Sequence, residues 1–209
     1  MMIKAVIFDM DGVIIDSEPI ESLAWEKLLT EYGKKPIINE WGLIHIVGTK
    51  SFDYVMRKHG LVEDVEVVKN KKRKIFIDLV LKNPILMPGF LKLLTGLKKR
   101  KIKLGVASNR FQEHVGLIMK KLKIEDEFNA LIGNDPTIEV KPAPDIFLKA
   151  AKMLKINPKY CLVIEDSESG VIAAKAAGMK VIAVPNRYTK HQDFSKADKI
   201  VKSLSEITI

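Results

Sequence analysis

Two short apolar runs, far apart in the chain, each stop abruptly at paired acids. Ala5-Val6-Ile7-Phe8 gives way to Asp9-Met10-Asp11-Gly12, and Cys161-Leu162-Val163-Ile164 gives way to Glu165-Asp166-Ser167. Short apolar runs bounded by polar or turn residues read as strands buried on both faces, the pattern of a parallel sheet. In an open parallel sheet, ligands bind at the carboxyl ends of the strands. Acids delivered there are not core filler, and two close together repel, so a metal ion or a shared proton is expected. Asp9 and Asp166 lie 157 positions apart (166 − 9). Bringing both pairs to one sheet edge therefore constrains the fold far more than either pair alone. Two strands offering hard oxygen donors to one edge suit Mg²⁺.

The remaining chain fits that sheet. Strands are expected at Lys4–Phe8, Ile102–Ala107, Ala130–Ile132, Tyr160–Ile164 and Lys180–Val184. Amphipathic helical stretches, Phe111–Leu122, Asp145–Leu154 and Gly170–Ala177, alternate with the last four. Strand–helix alternation predicts an α/β fold: a Rossmann-like, three-layer parallel sheet with helices on both faces. The first strand breaks the rhythm, because the next does not come until about residue 102. Between them Glu21–Tyr32, Ser51–His59 and Val65–Lys82 read as helices, and Asn83-Pro84 then breaks the chain. The expectation is an all-helical domain over 17–84 inserted into an α/β core formed by 1–16 and 85–209. The tail from Asp198 to Ile209 should add an edge strand and a short helix.

Composition narrows the function classes. Hydrophobic residues make up 47% and charged residues 29% of the 209, an ordinary mix for a globular chain and too apolar for disorder. No apolar run approaches the roughly 20 residues of a membrane span. One cysteine, Cys161, rules out an internal disulfide framework. Met1–Asp9 lacks a signal peptide's long apolar region, so a cytoplasmic protein is expected. The net charge is +9, but no nucleic-acid motif or interleaved aromatics accompany it. The basic run Lys69–Lys74 is flanked at helical spacing by Val65, Val68, Ile75, Phe76 and Leu79, which reads as a solvated helix face. Neither a nucleic-acid nor a membrane partner is expected. The four histidines show no metal spacing, and Trp25 and Trp41 read as core of the helical insert.

Two further strand ends carry complementary groups. Val106-Ala107 runs into Ser108-Asn109-Arg110, where a hydroxyl and backbone N–H groups at a helix N-terminus would bind phosphate oxygens. Glu139-Val140-Lys141-Pro142 places a lysine in a proline-rich turn just before a helix, a positioned cation. Together with four strand-end acids they describe a phosphate site with a metal.

This set, in this order, resembles the haloacid dehalogenase superfamily and specifically its phosphatase and phosphomutase branch. The motifs are Asp9-Met10-Asp11-Gly12-Val13, Ser108, Lys141-Pro142, and Glu165-Asp166-Ser167 with Gly170, and the resemblance covers the whole chain. It implies a helical cap domain for the insert. It also implies a hydrolase in which Asp9 attacks the phosphorus of a phosphomonoester and becomes an aspartyl phosphate. Asp11 would be the general acid on the leaving oxygen and then the base on water. Mg²⁺ would be held by Asp9, Asp166 and the Asp11 main-chain carbonyl, with Glu165 supporting. Ser108 would bond a phosphoryl oxygen, and Lys141 would offset charge on nucleophile and phosphate.

Asp11 points to phosphoryl transfer, since dehalogenation needs no proton donor two residues after the nucleophile. The opening is similar to that of β-phosphoglucomutases, which place a histidine and an arginine in the cap. Aligned from Asp9, those positions carry Glu21 and Ser51 here. That favours a phosphatase, with a β-phosphoglucomutase-like phosphomutase as the alternative. The partner would be a small phosphorylated metabolite. Asn109 and Arg110 are similar to the segment in phosphoglycolate phosphatases and are candidate substrate contacts, as are Gly48 and Lys50 in a possible specificity loop. Oligomeric state is not legible.

Overall fold

β1 (Ala5–Phe8) is buried along its whole length. The computed structural model describes residues 2–35 and 49–209, except for the side chains of 49–51. In chain order the helices are α1 (Glu18–Glu31), α2 (Thr49–His59), α3 (Val65–Lys82), α4 (Phe90–Lys99), α5 (Gln112–Lys121), α6 (Asp145–Leu154) and α7 (Glu168–Ala176). The other strands are β2 (Lys103–Phe111), β3 (Ala130–Asn134), β4 (Cys161–Glu165), β5 (Lys180–Ala183) and β6 (Lys199–Ile200).

Among the described residues the sheet has six strands, in the order β3-β2-β1-β4-β5-β6. Every pairing is parallel. The chain builds outward from β1 on one side through β2 and β3, then restarts on the other with β4. Strand order therefore reverses between β1 and β4, and their carboxyl ends flank the crevice where such sheets bind ligands. Phe8 is level with Ile164 across that boundary, so the acids that follow each strand emerge side by side.

Alternating side chains serve the two faces. Ala5 and Ile7 pack with Phe147 and Ala150 of α6 and Ala173 of α7. On the other face Phe8 meets Phe90 and Phe128 edge-on, with ring centroids 5.7 and 6.1 Å away. Helices on both sides complete a three-layer α/β core.

The chain divides into two compact units: Met1–Asp16 with Pro84–Ile209, and Ser17–Asn83. The second is helical where described, with Trp25, Leu28, Leu29, Val55 and Val68 in its core. Trp41, His45 and Gly48 lie outside the described residues. α1 begins at Glu18, earlier than the expected Glu21, because Pro19 fits a first helical turn, where its missing N–H costs nothing. The basic run is not wholly a solvated face: Lys72 is buried, paired with Glu21, with its ammonium 5.6 Å from both the Trp25 and Phe76 rings.

The larger correction is at β2. Ser108–Arg110 does not open a helix. The strand runs on to Phe111 through a register shift after Ala107, and α5 starts at Gln112. Gln112 makes the extension possible. Its side-chain amide accepts from Gly133 N (2.7 Å) and donates to the Leu131 carbonyl (3.1 Å), standing in for main-chain partners on β3. At the opposite edge β6 pairs with β5, followed by a short 3₁₀ turn at Leu204–Glu206.

Candidate active site

The ladder continues one residue past β1. Asp9 N donates to the Ile164 carbonyl at 2.9 Å, which fixes Asp9 beside Glu165. The chain then turns tightly. Ile14 N and Ile15 N both donate to the Met10 carbonyl, and Gly12 N donates to the Ile15 carbonyl. Gly12 takes φ +74°, and a β-carbon there would overlap the Asp166 carboxylate. Glycine thus brings the second acidic pair hard against the first.

Lys141 ties three strand ends together. Its buried ammonium pairs with Asp9 Oδ1 and donates to Glu165 Oε1 (2.7 Å) and to the Ala107 carbonyl (2.9 Å). Those three acceptors match its three protons. Lys141 N also donates to Asn109 Oδ1 at 3.0 Å, so Asn109 holds the lysine's own backbone. Glu165 Oε2 accepts from Asp166 N (2.8 Å), Ser167 N (2.9 Å) and Ser167 Oγ (2.9 Å). Its carboxylate fills the space a β-carbon at Gly170 would occupy. With both oxygens engaged, Glu165 acts as a brace for Lys141 and for the start of α7.

Asp11 is held differently. Arg110 grips it from both sides, Nε to Oδ2 at 2.7 Å and Nη2 to Oδ1 at 2.9 Å. The structure therefore places Arg110 on the candidate general acid. Ser108 is buried at the edge beside them, and its Oγ accepts from Arg110 N at 3.2 Å, leaving its hydroxyl proton to donate elsewhere. Lys50 is in α2, but its side chain lies outside the described ones.

Burial pushes the Asp9 carboxyl up, Lys141 pulls it down, and Glu165 and Asp11 push it up again, to about 8. Burial opposes the charge on Lys141, but Asp9 and Glu165 outweigh it and hold the ammonium above the ordinary lysine range. Lys141 is thus shared between Asp9 and Glu165 while Arg110 is taken up by Asp11, and burial still disfavours the Asp9 carboxylate.

Among the described residues no three His, Cys, Asp or Glu side chains converge at metal distance. An ion here would need two carboxylates, Asp9 and Asp166, with the Asp11 carbonyl and water completing its shell. All are hard oxygen donors. Magnesium characteristically binds through one or two carboxylates and keeps several waters, so the donor set fits it.

Asn186 was not singled out from the sequence. Its Nδ2 donates to Asp166 Oδ2 at 2.8 Å. The available signal was position: it is the third residue after β5, which neighbours β4 at the carboxyl edge.

The profile of the haloacid dehalogenase-like hydrolases matches residues 6–184. The chain belongs to that family. The β-phosphoglucomutase of Bacillus subtilis is 34% identical over 217 residues, 99% of this chain and 92% of that one. The phosphorylated carbohydrates phosphatase of Thermotoga maritima is 31% identical over 185 residues, covering 86% and 83%. Among solved structures, CbbY from Rhodobacter sphaeroides in complex with phosphate superposes with a TM-score of 0.84 at 27% identity, covering 98% and 96%. The chain falls in the phosphatase and β-phosphoglucomutase-like branch and is a phosphoric monoester hydrolase.

Proposed function

We propose that this enzyme is a Mg²⁺-dependent phosphatase acting on a small phosphomonoester, of sugar phosphate or phosphoglycolate type, through an aspartyl phosphate on Asp9. The observation that carries the proposal is the buried Asp9 carboxylate at the β1/β4 boundary, with Lys141 on one oxygen and Asp166 across Gly12.

Asp9 attacks phosphorus, and the phosphorus–ester oxygen bond breaks as the acyl phosphate forms. Asp11 gives its proton to the departing oxygen, then takes one from the water that attacks the acyl phosphate. To do so it must leave the Arg110 fork, in which both of its oxygens are occupied. Ser108 Oγ donates to a phosphoryl oxygen, and Lys141 keeps Asp9 oriented while offsetting charge on the transferring group. Asp9, Asp166 and the Asp11 carbonyl would hold Mg²⁺, which would supply positive charge to offset that of the nucleophile and the phosphate. Residues 17–84 act as the cap domain, with Gly48 and Lys50 as candidate substrate contacts. A cytoplasmic setting belongs to the same proposal.

A phosphomutase is the second possibility, favoured by the identity with the Bacillus subtilis β-phosphoglucomutase. Glu21 counts against it: it is already paired with Lys72 and is no cation for a second phosphate.

The test is phosphate release from a panel of esters, including phosphoglycolate and hexose phosphates, with Mg²⁺ or EDTA. Release that needs Mg²⁺ and falls by roughly 10³ or more in Asp9→Asn is expected. Conversion of glucose 1-phosphate to glucose 6-phosphate with bisphosphate, and no net release, would favour the mutase.

A further inference from the structure

Resting on the magnesium-dependent phosphatase reading, we propose that Asn186 is a positioning residue for the metal: its amide fixes Asp166 so that one carboxylate oxygen stays turned to the ion. Asn186 Nδ2 donates to Asp166 Oδ2 at 2.8 Å. The orientation of the amide is itself determined. Asn186 Oδ1 accepts from Tyr188 N (2.8 Å) and Thr189 N (3.2 Å). The reverse orientation would point the NH₂ at two N–H donors and the oxygen at a carboxylate.

The loop that carries Asn186 is anchored to the same turn as its target. Thr189 is buried, and its Oγ1 accepts from Asn186 N at 3.0 Å. Gln192 Oε1 accepts from Glu168 N at 2.8 Å, at the start of α7. The segment after β5 thus grips the β4–α7 turn on both sides of Ser167. Gly12 completes the arrangement, since a β-carbon there would stand 2.9 Å from Asn186 Nδ2 and overlap Asp166.

The chemistry suits the task. A lysine or arginine on Asp166 would fix the carboxylate but offset the charge that attracts a cation. A neutral amide orients it without adding a positive charge of its own. Outer partners of metal ligands typically change affinity about 10- to 100-fold when removed.

The experiment is calorimetric titration of Mg²⁺ into the whole metal-stripped protein, for wild type, Asn186→Ala and Thr189→Val. Asn186→Ala removes the donor, whereas Thr189→Val disturbs only the loop brace. Asn186→Ser, too short to reach Asp166, replaces Asn186→Ala if the latter does not fold. The expected result is a Kd about 10- to 100-fold weaker in the Asn186 variant and within about threefold of wild type in Thr189→Val. The activity should mirror this as a raised Mg²⁺ requirement with kcat largely recovered at saturating Mg²⁺. Equal weakening in both variants would assign the effect to the loop and overturn the proposal. So would an unchanged Kd in Asn186→Ala, whatever its melting temperature. A wild type that binds no Mg²⁺ would overturn the magnesium reading itself, and this inference with it.

Discussion

Lys141 shows how much of the site depends on single side chains filling all their bonding capacity. Its ammonium joins Asp9, Glu165 and the Ala107 carbonyl, so three strand ends share one cation. The arrangement tolerates no bulk at Gly170, where a β-carbon would enter the Glu165 carboxylate. Gly170→Ala should displace Glu165 and leave a buried charge unpaired, a loss of about 3 kcal/mol or more. Urea unfolding checks this, and a loss below about 1 kcal/mol would mean that Glu165 has another place to go. The sequence already marked Asp9, Asp11, Lys141, Glu165 and Asp166, because acids and a cation at the ends of apolar strands have few structural uses. It did not reveal the Arg110–Asp11 fork or Asn186. Both depend on which side chains meet across 99 and 20 residues of chain, and no local pattern encodes that.

At the scale of elements, strand and helix identities were legible wherever periodicity was strong, as in α6 and α2. Boundaries failed where a side chain replaced the backbone. Gln112 pairs with β3 through its amide, so β2 extends to Phe111 and carries Ser108–Arg110 as strand. The helix ends hold another feature. Lys101, Lys123 and Lys155 all take left-handed φ near +57°, a conformation that favours glycine. Lys123 follows α5 and Lys155 follows α6. Replacing either with glycine should stabilise the protein by about 0.5–1 kcal/mol, relief of side-chain crowding outweighing the freer unfolded chain. Thermal melts of the two variants check this, and a lowered midpoint in both would show that the lysine side chains contribute more than the strain costs.

For the molecule as a whole, the parallel order β3-β2-β1-β4-β5-β6 places the acids of β1 and β4 at the one point where strand order reverses. The topology concentrates negative charge there, and its effect on stability has a definite sign. The Asp9 carboxyl is raised from an ordinary value of 3.8 to about 8 in the fold. The metal-free folded state therefore holds a proton that the unfolded state has released, and stability falls as pH rises from about 4 to 8. On the proposed reading, Mg²⁺ bound at Asp9 would replace that proton. Its stabilising effect should be small at pH 5.5 and larger at pH 8.5. Melting temperatures with Mg²⁺ or EDTA at both pH values test this, and an equal shift at each would place the ion away from Asp9. The helical unit was legible as an interruption of the strand rhythm, but Lys72 was not, because a lysine within a basic run gives no sign that Glu21 faces it.

The nucleophilic role of Asp9 is the central claim, and trapping the intermediate tests it most directly. A single turnover of a ³²P-labelled ester by Asp11→Asn, quenched in acid, should leave label on the peptide that contains Asp9. That label should be released by hydroxylamine, as an acyl phosphate is. Label on Ser108, or phosphate released with no label on the protein at any time, would contradict it.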